Sequence, residues 1–108
     1  MCNPEFSQCE KIVKKPTLRF YSDDGHGWLA VKRQKLIDLG LMEKISPFSY
    51  QRGNTVYLEE DCDITVFLKA CGCITFEQTR EKFNCIEKHT NGRHPIRSYD
   101  IFTPSVFS

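Results

Sequence analysis

Fifteen residues, Ser49 to Asp63, constrain this chain more than any other stretch. Ser49-Tyr50-Gln51-Arg52-Gly53-Asn54-Thr55-Val56-Tyr57-Leu58 gives a short extended run, a polar turn and a β-prone run, and Glu59-Glu60-Asp61-Cys62-Asp63 then opens a helix. Such rapid alternation leaves no room for a long helix and predicts hairpins with short helices packed on them. The segment carries a Tyr50/Arg52 pair but no recognisable catalytic set, so it predicts a surface that binds.

The rest of the chain reads the same way. Leu18, Phe20 and Ser22 alternate with Arg19 and Tyr21, predicting a strand at 17–22. Asp23-Asp24-Gly25-His26-Gly27 reads as a turn and Trp28 to Val31 as the returning strand, with Trp28 anchoring the hairpin in the core. Residues 32–39 read as a helix burying Leu36, Ile37 and Leu39 and capped by Gly40, with Leu41 and Ile45 beneath it. Ile64, Phe67, Leu68 and Cys71 fall on one helical stripe and place the second helix at 61–71, with Gly72 as its stop. Residues 74–80 suit either a helix or a strand. A strand at 82–88, a polar loop from His89 to Pro95 and an extended segment at 96–102 complete the chain. The expected fold is a single α+β domain over 16–108, an antiparallel sheet of hairpins carrying two short helices, behind an irregular leader at 1–15.

At 108 residues the chain can bury one core without staples. Its net charge of +1 argues against a protein that coats duplex DNA. No apolar run approaches the roughly 20 residues that span a bilayer, and no export signal is visible. The expected compartment is therefore the cytoplasm, where Cys2, Cys9, Cys62, Cys71, Cys73 and Cys85 stay thiols.

The candidate sites each have a plainer reading beside them. The acids at 59–63 suit a hard cation, but better suit the positive end of a helix. Cys71, Cys73, Cys85 and His89 number enough for zinc, but a Cys-x-Cys pair fits poorly the spacing of structural zinc knuckles. Ser22, His26 and a neighbouring Asp contain the groups of a hydrolytic triad, yet the orienting group normally arrives from elsewhere in the fold. The binding-like residues are Tyr50, Arg52, Arg93, Arg97 and Tyr99, with His26 and His94 beside them. Arginine and tyrosine together are an interface signal, and aromatics interleaved with arginine also stack on single-stranded bases. These side chains are expected to face solvent; the plainer reading is a solvated loop and an edge strand.

Three blocks taken together resemble a known group: Ser22 to Val31, Ser49 to Asp63, and Pro95-Ile96-Arg97-Ser98-Tyr99. They are similar, in the same order over roughly 18–102, to small accessory proteins of bacteriophages, plasmids and other mobile elements. The leader and Cys71-Gly72-Cys73 depart from that pattern. The resemblance implies a bacterial cytoplasm and an accessory, non-enzymatic protein rather than a metabolic enzyme; separately, no cofactor is expected, and the chain is expected to be a monomer, or a homodimer through an exposed sheet edge. It implies a host protein or protein–nucleic-acid complex as partner, as in blunting restriction or CRISPR defence. The alternatives are a nucleic-acid-binding module and a small zinc-binding protein.

Overall fold

The computed structural model describes residues 15–104, in which six strands form one sheet with three short α-helices and two 3-10 turns. Strands β1 (Thr17–Ser22) and β2 (Gly27–Lys32) make the expected hairpin. Its turn is closed by Asp23, whose Oδ1 accepts the amides of Gly25 and His26 at 2.9 Å each. Helix α1 (Arg33–Asp38) follows directly. Gly40, at φ 70°, ends it in a Schellman arrangement, its amide on Ile37 and that of Leu41 on Leu36. Leu36 is fully buried there, but Ile37 stands 41% exposed and is not part of the buried face.

Strands β3 (Tyr50–Arg52) and β4 (Thr55–Glu59) form the second hairpin, turning at Gly53, φ 59°. Helix α2 (Asp63–Ala70) starts where Glu59 accepts the amides of Asp61, Cys62 and Asp63, so the first carboxylate of the acidic run is a helix cap. Phe67 of its stripe is buried. The ambiguous stretch resolves as a third helix, α3 (Phe76–Lys82), where two were expected. A capping box decides it: Thr75 Oγ1 accepts the Gln78 amide, and Gln78 Oε1 accepts the Ile74 and Thr75 amides.

Strand β5 (Asn84–His89) pairs with β1 in parallel. The sheet is therefore mixed, in the order β5-β1-β2-β4-β3-β6, not wholly antiparallel as expected. The reason is the crossover: a strand that returns after a helical connection enters in the direction it left. The predicted extended segment at 96–102 is instead a 3-10 turn, Pro95–Ser98, followed by a two-residue strand β6, Asp100–Ile101. The leader and its boundary lie outside the described residues except at Lys15.

Register sorts the side chains onto two faces. Leu18, Leu29, Val31, Val56 and Leu58 point toward the helices and make the core with Leu36, Phe67 and Phe83. Strand alternation sends Arg19, Tyr21, Trp28, Ala30, Lys32, Tyr50, Arg52 and Tyr57 to the other side. The chain from 90 to 99 straps across that side. The His94 ring packs on Tyr21 and Trp28, and Tyr99 packs on Tyr57 at 5.2 Å. Trp28 and Ile96, 2% and 1% exposed, are buried apart from the helix-side core. No helix among the described residues is long and apolar enough to cross a membrane.

Candidate functional site

The strap is held by Asp23, the turn residue of the first hairpin. Its carboxylate accepts Arg97 Nε at 2.6 Å, Arg97 Nη2 at 2.8 Å and the His94 amide at 2.9 Å, besides the two turn amides. The Arg97 guanidinium, helped by these amides, holds the Asp23 carboxyl far below the usual carboxylate range. The pairing in turn raises Arg97. Gly25 makes room for the bridge, since a Cβ there would lie 2.7 Å from Arg97 Nη2.

This geometry divides the predicted contact residues. Arg97 turns inward, onto Asp23 and over the Trp28 ring at 5.8 Å. His94 turns inward too, its Nδ1 accepting the Ile96 amide at 3.0 Å. Neither stands out into solvent as expected, because a strap of irregular chain needs internal partners for its polar groups. Tyr50 and Tyr99 are half-buried. Arg52 is exposed and caps the Tyr99 ring at 4.9 Å. Arg93 and His26 are exposed, His26 with Nδ1 4.0 Å from Glu60. Tyr50 and His26 border one hollow, whereas Arg52 and Tyr99 sit together beside Tyr57.

Below the strap the sheet face is open. A groove of about 460 Å³ runs over Ala30, between Tyr21 and Tyr57, with Arg19, Lys32 and Lys35 along it. At the end of the sheet where β1 begins and β2 finishes, the groove also reaches Leu18, Val31, Phe67 and Phe83 of the helix-side core. Three cations and no carboxylate occur among the described residues that line it. Burial, together with the Tyr99 and Tyr21 phenols, pushes the Tyr57 phenol up and keeps it a neutral donor. Arg52 and Lys88 extend the positive charge on the same face, by register with Thr55 and Tyr21. Four acids, Glu59, Glu60, Asp61 and Asp63, gather at the start of α2 and the others are spread along the chain, so a net charge of +1 is compatible with a basic groove.

Sequence reasoning passed over Arg19, Tyr21, Lys32 and Tyr57. The available signal was period-two alternation, used for β1 and extendable to β2 and β4: their outward residues include basic and aromatic ones.

The thiol and imidazole groups fall into separate places. Cys73 is buried and its Sγ lies near the Cys71 and Gln78 carbonyls. Burial pushes the Cys71 and Cys85 thiols up. His89 lies at the far end of β5, its Nδ1 2.9 Å from Ser22 Oγ and its Nε2 3.3 Å from Asp24. The proposed zinc set is therefore not brought together, and no group of three His, Cys, Asp or Glu fit to hold a metal occurs among the described residues.

Ser22, His89 and Asp24 do line up as a hydroxyl, an imidazole and a carboxylate, with His89 in the place given above to His26. The His89 and Asp24 side chains are 51% and 66% exposed. The nearby amides of Thr90 and Gly92 are spent on Ser22 O and Asp24 Oδ2, so neither is free for an oxyanion. What the trio does is tie the end of β5 and the start of the strap to the end of β1.

No family model, curated protein or solved structure matches the chain.

Proposed function

We propose that the protein is a non-catalytic binding module whose open sheet face takes single-stranded nucleic acid. The observation that carries this reading is the groove over Ala30, where Arg19, Lys32 and Lys35 meet two tyrosine rings without a carboxylate among the described lining. Cations beside ring faces are what a single strand requires. Its phosphates need neutralising, and its bases stack on any aromatic surface without sequence preference. A duplex fits less well, because the basic strip is short and the strap closes one end of the face.

Fluorescence anisotropy with a labelled oligothymidylate tests it. If three phosphates are neutralised, the salt slope is about −2, and affinity falls about 20-fold between about 50 and 200 mM salt. Arg19→Ala/Lys32→Ala should flatten the slope by about 1.4. No binding at the lowest salt, or a double variant with an unaltered slope, refutes the assignment.

The reading implied by the resemblance, an accessory protein that occupies a host protein, is the second one. It is favoured by the exposed apolar side chains of Phe48, Ile74 and Phe76.

A further inference from the structure

A second hollow, of about 440 Å³, lies at the strapped end of the sheet and has the opposite polarity. His26, Phe48 and Tyr50 supply rings above the buried Trp28, Glu59 and Asp61 supply carboxylates, and no Lys or Arg is among its described lining. The rings are set against one another: Trp28 meets Tyr50 edge-on at 6.4 Å and lies 6.2 Å from His26. Phe48 is 75% exposed, an apolar ring held in water at the rim. Its position is fixed from beneath, because Ser46 and Ser49 on either side of it both hydrogen-bond the buried Asp63. The ring is thus held out by a rigid loop.

We propose that this hollow binds an arginine side chain of a partner protein. Rings with carboxylates at their edge attract a cation twice, through the ring quadrupole and through charge. A guanidinium suits the site better than an ammonium, since it stacks flat on rings while its edge donors reach a carboxylate. The chain already uses this pairing internally: Arg97 lies over Trp28, Arg52 over Tyr99 and Arg80 over Phe76. Glu59 is engaged by three amides, which leaves the exposed Asp61 as the principal partner for the incoming charge. The proposal deepens the protein-binding reading and is independent of the nucleic-acid groove, which shares none of these residues.

The chain's one tryptophan lies in the hollow, so its fluorescence reports occupancy. The full chain is titrated with N-acetylarginine amide, with the lysine analogue and with tetramethylammonium, and the shifted amides are mapped by heteronuclear NMR. Saturable binding of the arginine analogue is expected, with shifts centred on His26, Tyr50 and Asp61. Phe48→Ala and Asp61→Asn, both at exposed positions, should each weaken it by about fivefold. Arg19→Ala/Lys32→Ala should leave it unchanged while flattening the salt dependence of oligonucleotide binding, so the two readings fail separately. Shifts scattered over the acidic surface, affinity indifferent to Phe48→Ala, or tighter binding of lysine or tetramethylammonium would each overturn the assignment.

Discussion

Ser49→Ala should cost more stability than the loss of one surface hydroxyl normally does. Ser49 is fully buried, and its Oγ donates to Asp63 Oδ2 at 2.6 Å while accepting the Glu59 amide at 2.9 Å. Removing it leaves a part-buried N–H unpaired and takes one of three hydrogen bonds from a carboxylate that is 1% exposed. An unsatisfied donor costs about 1–3 kcal/mol, and a hydrogen bond to a charged group contributes about 1.5–3 kcal/mol. Asp63 keeps both bonds from Ser46, so the lower half of each range applies, and the expected loss is about 2–4 kcal/mol. For a domain of this size that is a fall in Tm of about 9–18 °C. Ser46→Ala is the internal control. It removes one donor to Asp63 but frees only the Phe48 amide, at an exposed position, and should cost about 1 kcal/mol. Urea unfolding followed by far-UV dichroism measures both, with the m-value unchanged. A Ser49→Ala loss under about 0.5 kcal/mol, or one no greater than that of Ser46→Ala, would refute the argument from unpaired groups.

Two other expectations concern titration and thiols. Asp23 has a lowered folded-state pKa, so its contribution is present above the unfolded-state value near 4 and is lost as pH falls toward the folded-state value. The stability margin of the wild type over Asp23→Asn should therefore be full at pH 7 and shrink below about pH 4; a margin independent of pH contradicts the Arg97 pairing. Among the described cysteines, exposed Cys62 should be alkylated first, ahead of Cys71 and Cys85, whose thiols burial disfavours as thiolates, and ahead of buried Cys73. Peptide mass mapping of a timed iodoacetamide reaction checks the order, and early loss of Cys73 would speak against the packing.

Local signals carried most of the elements, and long-range ones were illegible. The two hairpins, α1 and α2 were readable because Gly40, Gly53 and the stripe through Phe67 act over a few residues. Helix α3 has a weak apolar stripe, with Phe76 59% exposed, and its true signature was Thr75-x-x-Gln78. The parallel pairing of β5 with β1 depends on a crossover across the helix face, which no local pattern records. At the site, the arginine count misled. Arg97 and Arg52 look alike in sequence, but Asp23 lies 74 residues from Arg97 and captures it. Conversely, Arg19 read as an ordinary polar position of a half-buried strand and Lys32 as the first residue of a helix, and only the register shows that they share one face with Tyr21 and Tyr57.

The seating of β5 against β1 also dictates when this molecule can become complete. Partners such as Thr17 and Asn84, or Ser22 and His89, are separated by most of the described chain. During synthesis the outer rim of the first hairpin emerges first and waits, its amides and carbonyls unmatched, until residues 84–89 have followed. A pause in translation between those two segments should lengthen the time for which that edge can pair with other chains.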